Sequence, residues 1–406
     1  MAGFPAVPRA AERVNTPIPT RELQRRWVAI RAAMDGAGLD VLLAQANNDF
    51  MGGYVKYLTD LPATNGYVTT VIFFKDEPMT IIGQGAFGMD SHLPDEGDGV
   101  RRGVARIMGT PSYASAHYSA AYDAELAARA LAKHLTGTIG MLGTAAISFA
   151  LIEALRTGAL HGAHFVDASD VIDPIKAVKS ADEMELVRLA AAAQDEAMRA
   201  ALAAVKPGMR ELEVAAIAEQ VGHSFGSEQG LFLAFAGPAG QPGQIVNRHL
   251  QYRVIQPGDQ FSLLIENNGP GGMYCELGRS VVLGKATPEM RDQHEFLLEA
   301  QRFCLNELHD GADCRDIWDR YNAFMREHGR PEEKRVHFHG QGYDMVERPL
   351  IRHDETMAIR RSMYFSLHPA FSTPHGYSWI SDDYFLDGDG KVERLHAMPQ
   401  ELFEID

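Results

Sequence analysis

At 406 residues, with 46% hydrophobic and 23% charged residues, the chain has ordinary globular composition and length enough for two domains. Its 54 acidic residues against 38 basic ones give a net charge of −16, which argues against nucleic acid or an anionic membrane as partner. Cys275, Cys304 and Cys314 form no C-x-x-C pair, so neither a disulfide framework nor a zinc cluster is expected, and the natural compartment is a reducing cytoplasm. No apolar run approaches the ~18 residues of a membrane span, and no signal-peptide core is seen in the first twenty residues.

In chain order, residues 1–19 are proline-rich and read as an extended arm. Thr20 is placed to cap a helix running to Ala37, with Leu23, Trp27, Ile30 and Met34 on one face. Strands are expected at Asp40–Ala44, Tyr67–Phe74 and Met79–Ile82, a helix at Asp123–Leu135 and a short strand at Thr138–Leu142. This alternation predicts a small α/β domain over residues 20–170. A second composition follows, and residues 171–406 predict an α+β domain. Ser180 and Glu183 form a capping box for a helix to about Val205, followed by a helix at 211–222 and a strand at 231–236. Helices at 288–308 and 313–328 precede three strand-like runs, Val336–Gly342, Met363–Pro369 and Ile380–Leu386.

Phe261–Gly284 is the stretch of most chemical interest. Two apolar runs joined by Gly269-Pro270-Gly271-Gly272 predict a β-hairpin, with Glu266 and Glu276 at its inner ends beside Tyr274. A bare carboxylate in a buried sheet costs several kcal/mol unless a metal, a cation or hydrogen bonds compensate it. The competing assignment for Glu276 is an ion pair with Arg279.

The motif order then resembles the pita-bread family of creatinase, prolidase, aminopeptidase P and methionine aminopeptidase. Lys206-Pro-Gly-Met-Arg-Glu211, Pro257-Gly-Asp259, Cys275-Glu-Leu-Gly-Arg-Ser280, His339-Gly-Gln-Gly342 and Asp389-Gly390 fall in that family's order. Arg21–Tyr54 resembles the N-terminal domain of its creatinase and prolidase branch. The resemblance implies a pita-bread catalytic domain preceded by a smaller α/β domain, and a homodimer. The family's peptidases hold two metals with two aspartates, one histidine and two glutamates. Here Glu276 takes the second aspartate's place and His339 the histidine's. Glu266 lies one residue from the position expected for the first aspartate, a slip that turns a strand side chain to the other face unless the hairpin loop is one residue shorter. His368 and Ser381 stand where the glutamates are expected.

The resemblance thus implies a rewritten centre. His339, Glu276, His368, Asp382 and His249 are the candidate catalytic groups, with Glu266, His337, Tyr274 and Asp383 placed to contact substrate. Either no cofactor or one divalent ion (zinc, iron or manganese) on Glu276, His339, His368 and Asp382 would balance the clustered acids. The leading expectation is a creatinase-like, non-peptidase hydrolase or lyase cleaving a C–N bond in a small polar metabolite. The alternatives are an X-Pro-type metallopeptidase with altered ligands and a catalytically inactive binding module.

Overall fold

Leu23, Ile30 and Met34 are fully buried and turn one face of the first helix, α1 (Thr20–Ala37), into a core. Its N-cap position is Pro19 rather than Thr20, and no side chain caps it; the Thr20 hydroxyl instead accepts a bond from Arg102 Nη1 (3.2 Å). These positions come from a computed structural model that describes residues 16–48, 52–63, 66–374 and 376–405. Most of the arm expected at residues 1–19 therefore lies outside the described residues. The chain divides into two compact units, Met1–Lys176 and Ala177–Asp406.

The first unit is built on seven strands: β1 (Val41–Ala46), β2 (Thr69–Phe74), β3 (Met79–Gln84), β4 (Asp90–His92), β5 (Val104–Thr110), β6 (Thr138–Leu142) and β7 (His164–Asp167). They form one sheet in the order β4-β5-β3-β2-β1-β6-β7. Its helices besides α1 are α2 (Gly53–Thr59), α3 (Ala120–Ala130), α4 (Phe149–Thr157) and α5 (Ser169–Ala177), within which the two units divide. α3 begins three residues earlier than Asp123 and stops short of Leu135.

In the second unit, α6 (Ala181–Ala204) opens with its capping box formed: Ser180 Oγ accepts from the Glu183 amide (3.2 Å), and the Glu183 carboxylate accepts from the Ser180 amide (2.7 Å). α7 (Glu211–Ser224) follows, then β8 (Gly230–Pro238), β9 (Asp259–Asn268) and β10 (Tyr274–Leu283). α8 (Pro288–Asn306) and α9 (Cys314–Glu327) come next. The remaining strands are β11 (Phe338–Gly340), β12 (Glu347–Leu350), β13 (Met363–Leu367), β14 (Ala370–Thr373), β15 (Gly376–Trp379), β16 (Asp382–Leu386), β17 (Val392–Arg394) and β18 (Phe403–Ile405).

These strands make two sheets, β18-β10-β9-β8 and β12-β11-β13-β16-β17, beside the short β14–β15 pair. α6 and α7 pack their apolar faces on the first sheet through Met198, Val214, Phe261 and Leu277. α8 and α9 cover the second through Leu297, Ile317, Phe338 and Phe365. A bridge between Gly278 and Ser381 joins the sheets edge to edge, so residues of β10 and of the turn into β16 meet at one seam. No helix among the described residues is long and apolar enough to cross a membrane.

A buried ionic group ties α6 to the last strands. His396 lies between Asp383 (3.2 Å) and Asp195 (3.6 Å), and Asp195 also accepts the amides of Ala397 and Met398. Burial would strip the imidazolium proton, but the two carboxylates outweigh it and hold His396 up to about 9. Asp195, beside His396 and bonded to both amides, is held down despite burial, whereas burial pushes Asp383 up. An unfolded histidine titrates near ~6.5, so this stabilisation is complete below that pH and is lost as pH rises through the folded value. The urea midpoint should fall between pH 7 and pH 10, and His396→Gln should lower it at pH 7 while flattening the alkaline decline.

Candidate functional site

The β9–β10 register places Glu276 directly opposite Glu266, with Ile265 opposite Leu277. Directly paired residues share a face, so the one-residue displacement read from the sequence is absorbed by the turn and both acids look the same way. β11 brings His339, and the end of β13 brings His368, whose amide donates to the His337 carbonyl (2.8 Å). Glu276, His339 and His368 each offer a ligand atom, and these atoms lie within 4.8 Å of one another. All three side chains are buried.

Each group is held by something behind it. His339 Nδ1 bonds the Gly340 carbonyl (2.9 Å), so that nitrogen carries the hydrogen, and Nε2 presents its lone pair 3.8 Å from Glu276 Oε2. Ser381 Oγ donates to Glu276 Oε1 (2.9 Å), and Gln341 Nε2 donates to Glu266 Oε1 (3.2 Å). His368 lies stacked on Trp379, ring centroids 5.6 Å apart. Burial opposes charge on Glu276, but His368, His339 and the Ser381 hydroxyl hold its carboxyl down to about 2. Burial, followed by the charge on Glu276, pushes Glu266 well up. Burial lowers His368, while the charge on Glu276 opposes that shift.

The four side chains line a cavity of about 490 Å³. Its walls are mostly apolar: Leu231, Leu233, Ile245, Leu264, Phe371, Tyr377 and Trp379. Half-buried Glu333 and exposed Arg335 are the charged residues on its lining beyond the central group, among the described residues.

Other expected site residues lie elsewhere. Asp382 turns toward Arg279 (2.8 Å), Arg394 (3.2 Å) and Gln400 (2.9 Å), because the guanidinium of fully buried Arg279 must be neutralised. Arg279 thus pairs with Asp382, not with Glu276. Asp383 accepts from the Glu276 amide (2.9 Å) and the Tyr364 hydroxyl (2.8 Å), behind the strand rather than in the cavity. His337 lies against Tyr321, ring centroids 3.7 Å apart, and 3.4 Å from Cys304 Sγ, on the helix side of its sheet. Tyr274 is fully buried and its carbonyl accepts from Tyr364 (2.9 Å). His249 sits exposed in the 3-10 turn Arg248–Leu250, off the cavity lining. The sequence reading missed Gln341 and Trp379. Gln341 lies inside the quoted His339–Gly342 motif; Trp379 carries no comparable local signal.

Two stacked sheet-and-helix halves meeting at a buried ligand cluster, with a separate α/β unit ahead, define a pita-bread protein of two-domain prolidase layout. Residues 185–393 match the profile of metallopeptidase family M24, just over half of the chain, and the chain belongs to that family. It is 24% identical over 274 residues to the Xaa-Pro dipeptidase of Pyrococcus furiosus, covering 66% of this chain and 76% of that protein. An uncharacterized hydrolase/peptidase of Sinorhizobium fredii is 25% identical over 395 residues, 95% of this chain and 97% of the other. The crystal structure of dipeptidase PepE from Mycobacterium ulcerans superposes with a TM-score of 0.74 at 22% identity, covering 96% of this chain and all of that one. These names weigh the metallopeptidase alternative above the creatinase-like expectation.

The central group fits one divalent ion: two imidazoles, one with its tautomer fixed for ligation, and an ionised carboxylate converge in a buried cavity. It does not fit two, since Ser381 and His368 supply no bridging or second-ion carboxylate. Removing Arg279 would leave Asp382 facing only the half-exposed Arg394. Arg279→Ala should cost about 3–5 kcal/mol of unfolding free energy, read from urea titration, and Asp382→Asn should leave any metal content unchanged.

Proposed function

We propose that this chain is a single-ion hydrolase of an amide C–N bond in a small dipeptide-like substrate, a prolidase-type reaction on an altered ligand set. The observation that carries the reading is the convergence of Glu276, His339 and His368 on one buried point, with Glu266 directly opposite Glu276. Family membership and the dipeptidase names of its relatives support hydrolysis of a peptide-like bond.

When bound, a divalent ion supplies Lewis-acid polarisation of an amide carbonyl and a more acidic water. The chain's own groups do the rest. Ser381 fixes the Glu276 carboxylate and the Gly340 carbonyl fixes the His339 ring, so neither needs to reorganise as charge develops. Glu266, directly across the ladder from Glu276 and with its carboxyl oriented by Gln341, is the group placed to pass a proton to the departing nitrogen. The apolar walls exclude bulk water, and Arg335 offers a cation to a substrate carboxylate.

A second reading keeps the creatinase-like hydrolase, which works without metal on a small polar metabolite. Two of the five positions that hold metal in the resembling peptidases are here a histidine and a serine, His368 and Ser381, and that observation favours it.

Protein purified without chelator should carry one equivalent of zinc, iron or manganese by elemental analysis, and His339→Ala, His368→Ala and Glu276→Gln should each lose most of it. X-Pro dipeptide hydrolysis should vanish on chelation and return with added metal. Glu266→Gln should keep the metal while lowering kcat by about 10²–10⁴-fold. Full turnover in metal-free protein would instead establish the creatinase-like reading.

A further inference from the structure

The first unit holds a cavity of its own. Register fixes the strand directions: β1, β3, β5, β6 and β7 run the same way, while β2 and β4 oppose them. From β1 the chain builds outward through β2, β3 and β5 on one side, then returns to add β6 and β7 on the other. The crevice outside the carboxyl ends of the strands at such a reversal is where open α/β sheets bind ligands. A cavity of about 430 Å³ opens there, between the end of β1 (Gln45–Asn48), the segment after β5 (Ser112) and the start of α4 (Ala146–Ser148). That volume lies in the ~300–1,000 Å³ range of small-molecule pockets.

Two features of its wall are chemically unmatched. Asp123, on α3, lines the cavity at 2% exposure, and its Oδ1 has no hydrogen-bond partner. The Ser112 and Thr110 hydroxyls touch its carboxyl, but among the described residues the lining contains no lysine or arginine, and its one basic side chain is the exposed His117. Burial pushes the Asp123 carboxyl up because its ionised form is costly without a cation, and a positively charged hydrogen-bond donor at the free oxygen would offset that cost. α4 begins on the same wall, and its N-cap Ser148 makes no capping bond. The Ser148 amide is taken by Gln45 Oε1 (2.9 Å) and the Leu151 amide by the Ser148 carbonyl (3.1 Å), which leaves the N–H groups of Phe149 and Ala150 to attract an anion. Between the two poles the wall is small and apolar: Ala46, Val68, Ala146 and Ile147.

A carboxyl that wants a cation and a helix start that wants an anion, across a short apolar span, describe a zwitterion. We propose that this cavity binds a free α-amino acid, its ammonium group on Asp123 and its carboxylate at the start of α4. The site lies wholly within the first unit and depends on none of the side chains around Glu276. If the chain does hydrolyse dipeptides, the ligand belongs to the same chemical class as its products.

The test is a thermal-shift screen of the full-length protein against the twenty proteinogenic amino acids, followed by calorimetry with the strongest. One or more should bind with a Kd of about 1 mM or tighter. Propylamine alone and propionate alone should bind at least tenfold more weakly. Asp123→Asn and Ala150→Asp should each weaken the amino acid at least tenfold, whereas Glu276→Gln should leave its affinity unchanged. The second variant keeps the test decisive if the first fails to fold, as judged by circular dichroism. Three results would overturn the proposal: no binding by any amino acid, binding lost in Glu276→Gln but kept in Asp123→Asn, or propylamine binding as tightly as the amino acid.

Discussion

Two carboxylates facing each other in a buried ladder set the terms for the whole catalytic unit. Glu266 and Glu276 are direct cross-strand partners and both are at least nine-tenths buried, so they cannot both carry charge without a cation between or beside them. The surroundings answer this in steps. Glu266 is pushed up and Glu276 held down, two imidazoles approach Glu276, and a serine hydroxyl and a glutamine amide each donate to one of the two acids. The peptidases this chain resembles place four carboxylates and one histidine around two dications, whose charges match. Here a histidine and a serine stand in two of those four carboxylate positions, which halves the negative charge the site can present. The exchanges at His368 and Ser381 thus read as a single change in charge count, and not as two unrelated losses.

The seam between the sheets gives that arrangement its rigidity. Gly278 and Ser381 exchange backbone bonds in both directions (3.0 and 3.2 Å), and Arg279 spans the same junction to Ser381, Asp382, Met398 and Pro399. Ser381 therefore reaches Glu276 from a backbone that β10 itself anchors. Asp383 grips the Glu276 amide while His396 and Asp195 tie it to α6. The acids expected near the reaction are here fastening the strands that present it.

The fold was legible where local chemistry is strong. The Ser180 capping box, the Leu23–Met34 stripe and the glycine-rich hairpin each fix an element by themselves. β4, β5, β7 and α4 carried weaker signals, since His164–Asp167 and Asp90–His92 are short and half exposed and gain their pairing only from neighbours distant in sequence. At the site, Glu276, His339 and His368 could be placed because motif order constrains them. Asp382 and Asp383 could not be told from ligands, because sequence spacing does not reveal that Arg279 and His396 claim them. His337 misled for a related reason: two residues before His339 suggests a shared face, but it lies just before β11 begins and packs on Tyr321.

The floor of the cavity depends on an absent atom. A Cβ on Gly278 would lie 2.0 Å from Trp379 Nε1, so only glycine lets the indole lie flat on β10 with His368 stacked above it. The chain has three tryptophans, and this one forms part of the cavity wall and stacks on the His368 imidazole. Its emission is thereby coupled to the state of that ring, because a protonated, neutral or ion-bound imidazole quenches a stacked indole to different degrees. The protein thus carries a native optical gauge of its own centre, one that follows occupancy in solution without a label.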